Sequence, residues 1–109
     1  MPYSQTLADR IRRVLGKGRG VVEKKMFGGV TFMLNGNLLV GVMASSLIAR
    51  LGPDGSAAAL KEDHVRVFDF TGRPMKAWVV VEPDGIDTDR QLADWIARAI
   101  AFVETLPEK

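Results

Sequence analysis

The sequence predicts an α+β domain, a two-layer α/β structure with an antiparallel sheet and the order α-β-β-β-β-α-β-α. Apolar residues have helical spacing near both ends of the chain, and short β-prone runs fill the middle. Turn residues such as Gly, Pro and Asn separate these runs by only a few positions. Because short connections join antiparallel neighbours, the strands are expected to form one sheet.

The first predicted element is a helix that begins after Ser4, whose hydroxyl can cap a helix N-terminus. Its apolar residues recur at offsets 0, 4, 7 and 8, which places them in one stripe along the helix. They are Leu7, Ile11, Val14 and Leu15. Gly16 is expected to end the helix.

The middle of the chain is predicted to form strands. The first covers Val21 to Phe27 and ends at a Gly28-Gly29 turn. Two more, Val30 to Leu34 and Leu38 to Met43, flank Asn35-Gly36-Asn37. Asn-Gly supplies the positive φ angles that a tight loop requires, so these two strands are expected to pair as a hairpin.

The same region is long enough to span a membrane as a helix, since Met26 to Ala49 contains no charged residue. Asn35 and Asn37 would then lie in the middle of the span, where polar groups are costly, and the Gly-Gly and Ser-Ser pairs disfavour a helix. The sequence therefore predicts strands here and no membrane association. No leader-like apolar run occurs at the N-terminus, so the protein is expected in the cytoplasm.

The second half begins with a predicted strand over Leu47 to Leu51 and a turn at Gly52-Pro53-Asp54-Gly55. A short helix over Ala57 to Leu60 follows, with Ser56 as its expected N-cap. Val65 to Phe70 has no dominant apolar face, so it is expected to be irregular or a short edge strand.

A last strand is predicted over Ala77 to Val81 and stops at Pro83-Asp84-Gly85. Thr88 and Gln91 have the spacing of a capping box, which predicts the start of a long helix. Apolar residues then keep helical spacing until Pro107. They are Leu92, Trp95, Ile96, Ala99 and Val103.

Composition limits the chemistry of the chain. Its 109 residues are 47% apolar and 26% charged, which suits one globular domain over residues 1-109. The absence of cysteine excludes thiol nucleophiles, disulfides and thiolate zinc sites. The one histidine, His64, is expected to be exposed and structural. The acidic loop of Glu82, Asp84, Asp87 and Asp89 does not have EF-hand spacing. No catalytic residue, cofactor or metal is therefore predicted.

Charge is unevenly distributed although the net charge is only +2. Residues 1 to 54 hold 8 Lys and Arg against 3 acids, whereas residues 55 to 109 hold 7 against 10. Much of the excess lies in one basic cluster, which consists of Arg10, Arg12, Arg13, Lys17, Arg19, Lys24 and Lys25. This basic cluster is a candidate contact for nucleic acid or for an acidic protein surface. A solvated helix face and strand edge is the alternative interpretation.

Both faces of the central hairpin look apolar, because Val30, Phe32 and Leu34 alternate with Thr31 and Met33. Two full helices can shield one face, so a second subunit in an isologous dimer is expected to cover part of the other. The alternative is that the helices divide between the two faces or that the sheet curls on itself.

Two segments have residue combinations more specific than the formation of a turn or a strand requires. One precedes the hairpin and contains Met26, Phe27, Gly28 and Gly29. The other precedes the last strand and contains Asp69, Phe70, Thr71, Gly72, Arg73, Pro74, Met75 and Lys76. Together with Leu34 to Leu38, Arg50 to Pro53 and Phe102 to Pro107, they resemble the N-terminal domain of the TfoX/Sxy family of bacterial competence regulators. The resemblance extends over nearly the whole chain.

The resemblance implies a secretion-chaperone-like fold without catalytic machinery or a cofactor. It also implies an auxiliary regulatory role inside the cell, with a transcription activator as partner. Longer family members carry a second, C-terminal domain, whereas this chain ends at Lys109, so a single-domain member is expected.

The residues themselves favour mainly structural uses for the two segments. The glycine pair is expected to allow a sharp turn or close strand packing, with Phe27 as an anchor in the core. Arg73 can pair with Asp69 across the second turn. The alternative is that Arg73 and Lys76 contact an anion or another protein.

Three functions remain open. The first is a non-enzymatic module, expected to be dimeric, that binds another protein in transcriptional regulation. The second is direct nucleic-acid binding through the basic cluster, although only 7% of the residues are aromatic and no helix-turn-helix or zinc signature occurs. The third is a small enzyme using Arg73, His64 and the acidic loop, which requires a concave pocket where these side chains converge.

Overall fold

The fold is described from a computed structural model over residues 4–16, 20–26, 29–69 and 76–107. Within these residues the α-helices are α1 (Gln5–Leu15), α2 (Gly52–Ala59) and α3 (Asp89–Val103), and a 3₁₀ helix spans Pro83–Ile86. The strands are β1 (Val21–Met26), β2 (Gly29–Leu34), β3 (Asn37–Met43), β4 (Ser46–Arg50), β5 (Val65–Val67) and β6 (Trp78–Val81). The predicted α+β fold and its element order are confirmed.

All six of these strands pair in one antiparallel sheet with the order β1-β2-β3-β4-β6-β5. β1 and β5 therefore form its two edges. Val65 to Phe70 is predicted to be either irregular or a short edge strand, and the structure has an edge strand over Val65–Val67, followed by two residues without regular structure.

The hairpin of β2 and β3 turns at Asn35 and Gly36, whose φ angles are +53° and +81°. Both angles are positive, as the Asn-Gly pair predicts for a tight hairpin loop. A register shift between Phe32 and Met33 leaves Leu39 as an extra residue on β3. Leu39 is fully buried in the main core, so this β-bulge adds an apolar side chain on the side of the helices.

The helices pack on one face of the sheet. Alternate residues of the central strands, such as Phe32, Val40 and Leu47, form the main hydrophobic core with the apolar stripes of α1 and α3. α1 and α3 also contact each other, so they make the second layer together. The buried apolar residue of α2, Ala59, belongs to the same core.

Both long helices begin where the sequence predicts. Ser4 Oγ accepts a hydrogen bond of 3.1 Å from the Leu7 N–H, and Gly16 ends α1 with a φ of +66°. At α3, Thr88 Oγ1 accepts from the Gln91 N–H at 3.1 Å, while Gln91 Oε1 accepts from the Thr88 N–H at 2.9 Å. This reciprocal pair is the predicted capping box.

The prediction of a turn at Gly52-Pro53-Asp54-Gly55 followed by a Ser56 N-cap is wrong, because α2 already begins at Gly52. Proline suits the first turn of a helix, where its fixed φ is helical and its missing N–H is not needed. Gly52 has a φ of +80°, and a Cβ there would lie 2.5 Å from the Phe102 ring. Ser56 is buried inside the helix, four residues after its first residue.

The second face of the sheet is covered in part by the chain itself. Phe68 packs with Ile48 and Val80 so that all three are buried, and Met43 and Trp78 lie against them. This cover comes from the segment after β5 and not from a helix. The expectation that a second subunit covers this face stays a prediction. It now concerns only the part of the face outside the cluster of Phe68, Ile48 and Val80.

None of the described helices is long and apolar enough to cross a membrane. The uncharged stretch from Met26 to Ala49 contains β2, β3 and most of β4.

Candidate functional site

The second face of the sheet carries a row of accessible, mostly apolar side chains that crosses five strands. Val22 pairs with Met33, Met33 pairs with Leu38, and Arg50 pairs with Trp78. Arg50 also reaches Leu38, since its Nη1 lies 3.4 Å from the Leu38 carbonyl oxygen. We call these five residues the open row. Val22 is 56% exposed and the other four are partly buried.

The neighbouring row on the same face is closed. Thr31 pairs with Gly41, Gly41 with Ile48, and Ile48 with Val80, and all four residues are buried. Close packing explains the glycine, because a Cβ on Gly41 would lie 3.1 Å from Thr31 Cγ2. Phe68 completes the closed row. The second face therefore has a row that is buried at its centre and, next to it, a row whose side chains are partly or fully exposed.

Arg50 is the charged residue of the open row. Its guanidinium carbon lies 5.4 Å from the centroid of the Trp78 ring. Its Nε is buried and has no hydrogen-bond partner, and the Nη1 contact with the Leu38 carbonyl is long. No described carboxylate forms an ion pair with this guanidinium. A guanidinium has five N–H donors, so the described residues use only a small part of the hydrogen-bonding capacity of Arg50.

Trp78 is held in the open row by its aromatic neighbour. The ring centroids of Trp78 and Phe68 are 6.1 Å apart and the rings are tilted by 56°. Such tilted contacts are favourable for aromatic pairs. Trp78 therefore contacts both the buried Phe68 ring and the Arg50 guanidinium.

Two members of the basic cluster are engaged inside the protein. Arg10 Nη2 donates to the Ile86 carbonyl at 2.7 Å, and its Nε pairs with Asp89 at 3.2 Å, which joins α1 to the start of α3. Arg12 forms two hydrogen bonds with Glu23 on β1, and it also pairs with Asp9. The hydrogen bonds from Arg12 hold the pKa of Glu23 below its ordinary value.

The remaining described members of the basic cluster, Arg13, Lys24 and Lys25, are exposed and form no ion pair with a described acid. Strand alternation places Lys24 on the second face, opposite Thr31, and Lys25 on the helix face, opposite Val30. These two lysines therefore do not share a surface. Lys17 and Arg19 lie outside the described residues.

The two segments that carry the family resemblance are described only in part. Met26 ends β1 and pairs with Gly29, where a Cβ would overlap the carbonyl oxygen of Val42. Gly29 thus allows β2 and β3 to lie close together. Asp69 and Lys76 are exposed. The rest of the two segments lies outside the described residues, together with the expected contact of Arg73 with Asp69, and consists of Phe27, Gly28, Phe70, Thr71, Gly72, Arg73, Pro74 and Met75.

A cavity of about 380 Å³ lies between the start of β5, the 3₁₀ helix and α3. His64 and Asp84 line it, so the histidine and part of the acidic loop do converge. Two further lining carboxylates, Glu62 and Asp94, are ion-paired with Arg98 at 2.7 and 3.1 Å. The hydrogen bond with Glu62 is the main reason that the pKa of Arg98 is raised.

The side chains that line this cavity bear on the enzyme hypothesis. Its described lining residues include no Ser, Thr, Tyr or Lys that could act as a nucleophile beside His64. No group of three or more His, Asp or Glu side chains in the described part of the chain has the arrangement of a metal site. Arg73, the third residue required by the enzyme hypothesis, is outside the described residues.

The open row could not be recognised in the sequence because its members come from five strands. Val22 and Trp78 are 56 positions apart, and only the pairing of β4 with β6 brings Arg50 beside Trp78. One signal was present: Arg50 directly follows the apolar run Leu47-Ile48-Ala49, so a charged side chain continues a strand that is otherwise buried.

The fold and this face define a class of protein, a small α+β domain whose antiparallel sheet has helices on one face and an accessible row on the other. Residues 13–103 match the model of the TfoX N-terminal domain, and the chain belongs to that family. The comparison with curated proteins gave no match.

Proposed function

We propose that this chain is a non-enzymatic protein-binding module and that its partner docks on the open row. One observation carries the proposal: a continuous row of partly or fully exposed, mostly apolar side chains crosses five strands and contains an arginine that forms no ion pair with a described acid. Contiguous apolar surface of this kind is typical of protein interaction sites. Arginine and tryptophan are also the residue types that contribute most to binding energy at such sites.

We further propose that the module acts in the cytoplasm as an auxiliary regulator of transcription and that the partner is a transcription activator. Membership of the TfoX N-terminal domain family supports this part of the proposal, together with the resemblance to competence regulators. The described residues of the His64 cavity include no Ser, Thr, Tyr or Lys, which is in keeping with a non-enzymatic role.

Direct nucleic-acid binding has support from exposed Arg13, Lys24 and Lys25, but Arg10 and Arg12 already have internal partners. A labelled DNA duplex distinguishes the two functions. Phosphate contacts would make its affinity fall steeply with salt and fall again in Arg13→Glu. Under the protein-binding proposal, fluorescence anisotropy is expected to detect no such salt-dependent complex.

The direct test compares two matched variants in the protein's own cells. Val22→Asp places a charge in the open row on edge strand β1, whereas Val67→Asp places the same charge on the opposite edge strand, where Val67 is 38% exposed. The tagged wild type and Val67→Asp are expected to retain a transcription activator that Val22→Asp loses. Retention by Val22→Asp, or equal loss by both variants, contradicts the proposal.

Light scattering of the purified chain tests the predicted homodimer on the same variants. If a second copy occupies the open row, wild type and Val67→Asp have twice the mass of the 11.9 kDa chain and Val22→Asp does not. That result would assign the open row to self-association instead of to a different protein.

A further inference from the structure

We infer that Arg50 is the receptor for a carboxylate on the partner, so that the open row recognises an acidic side chain flanked by apolar ones. This inference rests on the proposed docking function and names the chemistry of the docked segment. It assigns to Arg50 and Trp78 a binding role that the sequence patterns did not indicate.

The first argument is the difference between two arginines. Among the described residues, Arg10 and Arg50 are the partly buried arginines. Arg10 has Asp89 and the Ile86 carbonyl as partners, which compensates its charge. Arg50 has a buried Nε without a partner and one long contact. A partly buried charge without a counter-charge is unfavourable, so an external anion stabilises this side chain more than it would an exposed one.

The second argument is the geometry of the guanidinium. The guanidinium carbon of Arg50 lies over the Trp78 ring, 5.4 Å from its centroid, and an aromatic ring is a favourable neighbour for this planar, weakly hydrated group. The N–H donors of a guanidinium lie in its plane, and two of them match the two oxygens of a carboxylate. A ring beside the group and unused donors at its edge are therefore compatible with bidentate recognition.

The third argument concerns what surrounds the charge. Leu38, Met33 and Val22 continue the open row from Arg50 towards β1, and all three are apolar. Glu82, the acid that follows the last residue of β6, is already held by Arg66 and does not compete. A free phosphate would contact only Arg50 and not the apolar residues of the open row. A peptide with apolar side chains and one Asp or Glu can contact both.

The spacing of the strands sets the length of the recognised segment. Neighbouring strands are about 4.8 Å apart, so three steps from Arg50 on β4 to Val22 on β1 cover roughly 14 Å. An extended peptide rises about 3.3 Å per residue and spans that distance in about four residues. We therefore expect the carboxylate and the farthest apolar side chain of the peptide to be about four residues apart if it is extended.

The test uses a library of displayed random peptides selected on the purified wild-type chain. Synthetic peptides from the selected set are then measured by fluorescence anisotropy with the acid present or changed from Glu to Gln. On the wild type this change is expected to weaken binding about tenfold, as for a charge-assisted hydrogen-bonded pair. On Arg50→Gln the same change is expected to alter affinity by less than about twofold.

Two further measurements separate recognition from folding. Arg50→Lys retains the charge but not the planar fork, and we expect it to keep only part of the Glu-to-Gln difference. The comparison of the Glu and Gln peptides on the wild type needs no variant of the protein. It therefore remains informative if Arg50→Gln is unstable. Val22→Asp and Val67→Asp show whether the selected peptides occupy the open row.

The outcomes distinguish the inference from the proposed function. Peptides that bind wild type and Val67→Asp but not Val22→Asp, without any Glu-to-Gln difference, would support docking on the open row and overturn the role of Arg50. Peptides that bind Val22→Asp as well as wild type, or a selection that returns no binder, would contradict both. If the Glu-to-Gln difference is present on the wild type and is lost only in Arg50→Gln, the result supports both the docking function and the role of Arg50.

Discussion

Arg12 and Glu23 join the first helix to the first strand through two parallel hydrogen bonds. Arg12 Nε donates to Glu23 Oε2 at 2.8 Å, and Nη2 donates to Oε1 at 2.7 Å. This pair removes Arg12 from the basic cluster that the sequence suggested as a nucleic-acid contact. Because the carboxylate is stabilised in the folded state, its pKa is lowered from the ordinary value of 4.5.

The lowered pKa of Glu23 predicts the pH dependence of its contribution to stability. The contribution is fully present above pH 4.5, where the carboxylate is ionised in both states, and it is lost as the pH falls through the lower folded pKa. Both side chains are 40% exposed, so Glu23→Gln is expected to cost only about 0.5 kcal/mol at neutral pH.

Urea unfolding of wild type and Glu23→Gln as a function of pH measures this effect. The difference in free energy of unfolding is expected to shrink as the pH is lowered below 4.5. Added salt at neutral pH is expected to reduce it as well, since the pair is exposed. A difference that stays constant down to acid pH would show that the pair does not stabilise the fold through its charge.

The role of Ser56 differs between the α2 predicted from the sequence, where it is the N-cap, and the α2 of the structure, where it lies inside the helix. An N-cap serine contributes about 1 kcal/mol, which Ser56→Ala would remove. In the structure Ser56 is buried and its Oγ has no hydrogen-bond partner, so the hydroxyl gains nothing from burial. Ser56→Ala is therefore expected to be neutral or to stabilise the protein by up to about 1 kcal/mol.

Ser4→Ala is the matched control for this prediction, because Ser4 Oγ does cap α1. It is expected to cost about 1 kcal/mol in thermal or urea unfolding. Similar losses for Ser4→Ala and Ser56→Ala would mean that Ser56 does act as a cap and that α2 begins later.

Gly29 is predicted to be the glycine of the central sheet that tolerates substitution least. A Cβ there would overlap the Val42 carbonyl oxygen and lie 3.0 Å from its carbonyl carbon, and both are backbone atoms that cannot rotate away. Gly29→Ala is expected to cost about 3 kcal/mol or more, because β2 and β3 must move apart.

Gly16→Ala separates this packing effect from the effect of a positive φ. Gly16 has a φ of +66° and a ψ of −161°, a combination that glycine adopts far more readily than other residues, but no atom lies within 4 Å of the position that a Cβ would occupy. Its substitution is therefore expected to cost roughly 1–3 kcal/mol, from backbone strain alone. Urea unfolding of the two variants measures both values. A cost for Gly29→Ala no greater than that for Gly16→Ala would exclude the close strand contact.

The sequence predicted correctly those helix caps and turns that depend only on residues close together in the chain. The cap at Ser4, the Asn35-Gly36 turn and the Thr88–Gln91 capping box each depend on residues within four positions of one another. The start of α2 was missed because Gly, Pro and Asp favour both a turn and a first helical turn. The choice between them depends on distant groups, since the Leu51 and Gly52 N–H groups both donate to the Ala77 carbonyl.

The candidate site depended almost wholly on such distant pairings. The basic cluster was visible as a run of charges, yet which of its members were free depended on Glu23 and Asp89, which lie on other elements. Of the open row only Arg50 gave a local signal, because strand order and the β3 bulge decide which side chains become neighbours. Phe68 likewise belongs to a segment for which the sequence pattern made no clear prediction, although in the structure it packs with Ile48 and Val80 on the second face.

The charge of Arg50, which no acid in the described part of the chain pairs with, is expected to be detectable through Trp78 in the protein alone. Trp95 is buried, with only 6% of its surface exposed, so soluble quenchers act mainly on partly exposed Trp78. Iodide is an anion and is concentrated near an uncompensated cation, whereas acrylamide is neutral. At about 6 Å in water the attraction is roughly 0.7 kcal/mol, which corresponds to about a threefold local enrichment.

Arg50→Gln is therefore expected to lower the iodide quenching constant by about twofold to threefold and to leave the acrylamide constant nearly unchanged. Trp78→Phe is the control, because it should remove the quenchable fraction of the fluorescence. High concentrations of a neutral salt should reduce the iodide difference, as expected for an electrostatic effect. Equal iodide quenching of wild type and Arg50→Gln would mean that the charge of Arg50 is already compensated, and the carboxylate receptor would lose its physical basis.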